Sequence, residues 1–135
     1  MYKRQGLKGS LPKLVSPNTA RDFVYVDDAC EAFVLAARRQ AREAGSVFNV
    51  GSGTQTTVRE AVGVAIERLA IKAQPQFDSM EARSWDTASW VADPRRILAE
   101  LGWEPTVDFA TGFGRLVEWL RAESSLSVRY GLASS

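Results

Sequence analysis

Eight residues, Arg21-Asp22-Phe23-Val24-Tyr25-Val26-Asp27-Asp28, constrain the fold of this chain more than any others. Phe23, Val24, Tyr25 and Val26 are β-branched or aromatic, the composition of a short buried strand. Asp28 stands ahead of Ala29, Ala32, Phe33, Ala36 and Ala37, an apolar stripe at helical spacing, with Glu31 three residues after the aspartate. The pattern predicts a strand over 22–26 that runs directly into a helix over 29–40 capped by Asp28. Arg21 is thereby delivered to the leading end of the strand, a position where anionic ligands are often held.

Composition narrows the function classes. Of 135 residues 45% are hydrophobic and 24% charged, and the net charge is +1. That balance argues against a surface that coats nucleic acid or is drawn to membranes. No apolar run reaches membrane-spanning length, and no secretory pattern opens the chain, so cytoplasmic residence is the default expectation. With one cysteine, Cys30, and no histidine, the chain holds no disulfide framework, zinc finger or histidine general base. Cys30 lies within the predicted helix without a nearby lysine, and reads as a small buried hydrophobe. Residues 1–5, Met-Tyr-Lys-Arg-Gln, match the translation of a transposon-derived sequencing adapter from a GTG start, and are expected to be non-native.

Further along, Pro12 and Pro17 bracket Leu11, Leu14 and Val15, which suggests a short edge strand. Val47-Phe48-Asn49-Val50 reads as a strand that exits through Gly51-Ser52-Gly53. Thr57 and Glu60 form a capping box for a helix to about Leu69, with Ala61, Val62, Ala65, Ile66 and Leu69 inward. Pro75-Gln76-Phe77 is a further candidate strand, and 78–92 shows no periodicity. Asp93-Pro94 open a helix that turns Ile97, Leu98 and Leu101 inward and stops at Gly102. A last helix, 109–122, carries Phe109, Phe113, Leu116, Val117 and Leu120 on one side, and 123–135 reads as a flexible tail. The strands are too few and too widely spaced to make a complete sheet.

Five segments taken in order resemble one family: the 21–28 run, Phe48-Asn49-Val50-Gly51-Ser52-Gly53, Arg83-x-x-Asp86, Trp90-Val91-Ala92-Asp93, and Leu101-Gly102-Trp103-x-Pro105. Together they resemble the C-terminal part of NAD-dependent nucleotide-sugar epimerases and dehydratases, the extended short-chain dehydrogenase/reductases, across roughly residues 8–122. The resemblance implies an α/β fold: a fragment comprising the edge of a Rossmann-like NAD(P)-binding domain plus a small mixed α/β substrate-binding domain. Residues 6–122 would form that C-terminal portion, with about 22–53 packed on a Rossmann domain outside this chain.

By the same resemblance, Arg21 and Arg83 contact the substrate's diphosphate, Asp86 lies near the ribose, and Trp90 lies beside the ligand. Two guanidinium forks suit a diphosphate better than two lysines would. The implied ligand is a nucleotide-sugar. The resemblance assigns NAD(P) to the full-length protein and implies a homodimer through its Rossmann helices, and this chain is expected to bind no cofactor by itself. The dinucleotide loop GxxGxxG and the YxxxK catalytic set have no counterpart here, since Tyr2, Tyr25 and Tyr130 lack a lysine at that spacing. The chain alone is therefore expected to be catalytically silent and marginally folded.

Plainer readings stand beside these. Arg21 could form a surface ion pair, Arg83 and Asp86 could pair with each other, and Asp27-Asp28 could serve only the helix start. Gly51-Ser52-Gly53 could be a phosphate cradle or simply an exit turn, and Trp103 reads as a packing plug. A non-enzymatic nucleotide-sensing or partner-binding module and a reductase of a non-sugar substrate are the competing functions.

Overall fold

The computed structural model describes residues 9–39, 44–80 and 87–123. The adapter-like segment 1–5, Arg83, Asp86 and the chain beyond Glu123 lie outside the described residues. In chain order the elements are β1 (Ala20–Arg21), α1 (Val26–Arg38), β2 (Thr56–Thr57), α2 (Val58–Leu69), β3 (Ser89–Trp90), α3 (Arg95–Leu101) and α4 (Phe109–Ala122). The three strands form a sheet in the order β2-β1-β3, the β1–β3 pair being parallel. This is the mixed α/β architecture the sequence implies. Two compact units divide the chain, one of Met1–Thr19, Thr57–Asp86 and Ala110–Ser135, the other of Ala20–Thr56 and Thr87–Phe109.

The first unit is organised by the start of α2. A helix leaves its first backbone N–H groups without partners inside the helix. Here the Val58 amide donates to the Thr19 carbonyl (2.8 Å) and the Arg59 amide to the Pro17 carbonyl (3.1 Å). The Glu60 amide donates to Thr57 Oγ1, while the Thr57 amide donates to Glu60 Oε2 at 2.7 Å, closing the capping box read from the sequence. Leu14 is held from the other side. Its amide donates to Ser79 Oγ, and its carbonyl accepts from the amides of Ser79 and Met80. These contacts stand in place of the edge strand expected near Leu11–Val15, and Phe77-Asp78 forms a turn. Residues 75–77 accordingly form no strand. On α4, Val117 and Leu120 are buried on the expected stripe.

The second unit has its own core of Ala32, Ile97, Leu101 and Trp103, with Val24, Leu35 and Phe48 packed against it. Trp103 is buried, as the packing-plug reading requires, and its indole Nε1–H donates to the Asp28 carbonyl at 2.9 Å. Gly102 closes α3 with φ of 65°, a left-handed conformation that glycine adopts without penalty, and Arg39 Nη1 donates to the neighbouring Leu101 carbonyl. The segment 46–48 is held onto α3 by Arg96, which lies 5.3 Å from the Phe48 ring centre and donates from Nη2 to Ser46 Oγ.

Several expectations are corrected here. The ladder covers Ala20–Arg21 and not 22–26, and α1 begins at Val26, within the expected strand. Asp28 therefore sits inside the first turn of the helix and does not cap it. Its carboxylate, 3% exposed, instead accepts from Thr106 Oγ1 at 2.8 Å and from the Val107 amide at 3.0 Å. A local capping pattern lost to partners 78 and 79 residues away. Residues 47–50 also have no ladder partner. On α1 only Ala32 of the predicted stripe is fully buried, Phe33 is 76% exposed, and Cys30 is exposed, not buried. The helix reaches the core over a narrower strip than its periodicity implied. Leu98 likewise faces solvent, and α3 starts at Arg95 behind Pro94.

The contrast within α3 yields a prediction. Leu101 is 0% exposed and Leu98 is 47% exposed, three residues apart on a helix of the same unit. Leu101→Ala is expected to cost about 2–5 kcal/mol in urea unfolding, and Leu98→Ala under about 1 kcal/mol. Equal losses would contradict the core described here.

Candidate functional site

The site is built on the β1–β3 pair, where Ala20 lies opposite Ser89 and Arg21 opposite Trp90. Of the four residues expected from the sequence, Arg21 and Trp90 are therefore side by side, while Arg83 and Asp86 lie outside the described residues. Arg21 is half-buried. Its Nη1 donates to the carbonyls of Ala20 (2.8 Å) and Thr87 (2.9 Å), which ties its guanidinium to the chain entering β3. Trp90 is 68% exposed and offers an open indole surface. Beside the pair, Gln55 Nε2 donates to Ser89 Oγ.

Asp22 was not singled out from the sequence, yet it is the hub of this region. One carboxylate oxygen accepts from the Ser52 amide at 2.8 Å and the Ser52 hydroxyl at 2.6 Å. The other accepts from the Gly53 amide at 3.0 Å and the Ala92 amide at 3.1 Å. The Gly51-Ser52-Gly53 turn, which reads like a phosphate cradle, thus receives an anion from its own chain. Gly51 is required by close approach: a Cβ there would lie 2.2 Å from Ala92 Cβ and 2.8 Å from Asp22 Oδ2. Nothing local could have revealed this, because Asp22, Ser52 and Ala92 are brought together only by the fold.

Electrostatics follow the geometry. Partial burial is the largest single influence on Asp22 and raises its pKa. The hydrogen bonds from the Ser52 hydroxyl and amide, the Ala92 amide and the Gly53 amide together outweigh it, so the carboxyl lies below its ordinary value of 3.8. Asp93 is lowered to about 2, chiefly by the side-chain hydrogen bond from Arg95, on the exposed approach to α3. Among the described residues no cluster of histidine, cysteine and carboxylates could hold a metal, and no helix is long and apolar enough to cross a membrane.

Comparison with known proteins places this chain in a family. A family model described as GDP-mannose 4,6 dehydratase matches residues 5–116. The chain is 31% identical over 116 residues to dTDP-L-rhamnose 4-epimerase of Burkholderia thailandensis, covering 86% of this chain and 31% of that protein. Among solved structures it is similar to UDP-glucose 4-epimerase of Thermotoga maritima with UDP-glucose, with 29% identity and a TM-score of 0.77 over 90% of this chain and 38% of that one. It is also similar to the Bordetella bronchiseptica enzyme WbmG in complex with NAD and UDP, with 26% identity and a TM-score of 0.67 over 98% of this chain and 38% of that one. The chain thus spans well under half the length of each of these proteins.

The shifted carboxyl predicts a pH dependence. A folded pKa below the unfolded one adds stability that is fully present above 3.8 and is lost as pH falls through the lower folded value. The difference in urea midpoint between the wild type and Asp22→Asn is expected to be widest near neutral pH and to close progressively below about pH 4. A difference that stays constant down to strongly acid pH would contradict the role given to the carboxylate.

Proposed function

The chain belongs to the GDP-mannose 4,6-dehydratase family, and we propose that it is the nucleotide-sugar-binding portion of an NAD(P)-dependent epimerase or dehydratase. The observation that carries this reading is the pairing of Arg21 with Trp90 across the β1–β3 ladder, a fixed cation next to an exposed aromatic face. A guanidinium supplies forked donors to a diphosphate, and an indole supplies a surface for the ring of a base or sugar. In this reading Arg83 is the second diphosphate ligand and Asp86 accepts from the ribose hydroxyls. These residues bind and orient; they make and break no bonds.

NAD(P) supplies hydride transfer in enzymes of this kind. Ser52 and Gly53 do not fit a dinucleotide phosphate, because their amides already hold Asp22. No cofactor-binding residue is assigned within the chain, and the chain by itself turns over no substrate. In this reading the exposed Val26, Phe33 and Val34 of α1 are covered by the dinucleotide-binding domain in a whole enzyme residing in the cytoplasm.

Calorimetric titration tests the assignment. UDP-glucose or dTDP-glucose is expected to bind, and Arg21→Ala and Arg83→Ala are each expected to weaken that binding by about tenfold or more. Failure of both ligands to bind, or binding indifferent to both substitutions, would overturn it.

A further inference from the structure

The β1–β3 ladder is two residues long on each side. So short a parallel pair has little power to set its own register, and a slip by one residue would carry Arg21 away from Trp90. The bonds that pin it lie just beyond its ends. Asp22 is the residue after β1, and its Oδ2 accepts from the amide of Ala92, two residues after β3. The same oxygen accepts from the Gly53 amide, and Oδ1 takes both donors of Ser52. All four bonds are charge-assisted, the stronger kind of hydrogen bond. Gly51 lets Ala92 come close enough for its amide to reach the carboxylate. At the entry to β3, the ladder position brings the Thr87 carbonyl to Arg21 Nη1.

We propose that Asp22 is the positioning residue for Arg21. Its carboxylate locks the exits of β1 and β3 to the Ser52–Gly53 turn, and that lock holds the guanidinium where a nucleoside diphosphate is gripped. This rests on the binding role proposed for Arg21. Asp22 itself touches no ligand; it acts through the strand register and hence through the arginine. The effect belongs to the diphosphate and not to the nucleoside.

A double-mutant cycle separates this role from a general loss of structure. UDP and uridine are titrated into the wild type, Asp22→Asn, Arg21→Ala and the double variant, and affinities are expressed per folded molecule from the circular dichroism signal. Asp22→Asn is expected to weaken UDP by about tenfold and uridine by less than about twofold, since lost donors to a charged acceptor are worth that order of energy. Added to Arg21→Ala, it should change UDP affinity no further. Ser52→Ala removes one of the four bonds and is the safeguard against misfolding; it should weaken UDP in the same direction by a smaller factor. Equal loss of UDP and uridine, an undiminished Asp22→Asn effect in the Arg21→Ala background, or an unchanged UDP affinity in both Asp22→Asn and Ser52→Ala would each overturn the proposal. Absence of UDP binding by the wild type would overturn the reading of the site itself and this role with it, whereas wild-type binding left unchanged by both Asp22→Asn and Ser52→Ala would remove only the latter.

Discussion

Four hydrogen-bond donors from two separated segments, 52–53 and 92, converge on one carboxylate, that of Asp22. Nearly everything of functional interest in the second unit is arranged around that convergence. The turn at 51–53, the exit of β3 and the exit of β1 would otherwise be three short pieces of chain with little to fix their spacing. A charged acceptor shared among backbone amides is an efficient joint, because each amide would be left unsatisfied if the carboxylate were lost. The steric counterpart is Gly51, where any side chain would collide with Ala92. Attraction at the carboxylate and clearance at the glycine together set one geometry.

A second aspartate performs the matching task deeper in the same unit. Asp28 receives Thr106 and Val107 on its side chain and Trp103 on its carbonyl, so α1 is fastened to the chain that leaves α3. Its burial is tolerable because both carboxylate oxygens are satisfied. Two aspartates of one short motif thus perform long-range joining, whereas the motif's periodicity suggests that one of them merely begins a helix. The cation of the motif, Arg21, is steadied by the carbonyls of Ala20 and Thr87.

How far the sequence could be read depended on the range of the interactions. The Thr57–Glu60 capping box, the Gly102 stop and the α4 stripe are determined within a few residues, and all are present in the structure, as is the Trp103 plug. The strands at 22–26, 47–50 and 75–77 were misread, since β-prone composition becomes a strand only where a neighbour offers a ladder. Phe33 and Cys30 were placed inside because a helical stripe marks which residues can be buried, not whether anything covers them. Family resemblance made Arg21 and Trp90 candidates, but their register opposite one another was not legible. Asp22 was invisible, because its three partner residues lie 30 to 70 residues away.

The order of motifs along the chain was enough to determine the family, the mixed α/β class and the identity of a candidate arginine and tryptophan. Local chemistry determined the ends of α2 and the C-terminus of α3. Tertiary structure alone decided that the Ser52–Gly53 turn holds an internal carboxylate, that Asp28 joins segments instead of capping a helix, and that Arg21 stands opposite Trp90. The reason is physical: caps and turns are satisfied by neighbours in sequence, whereas a carboxylate accepts whichever donors the fold brings within about 3 Å.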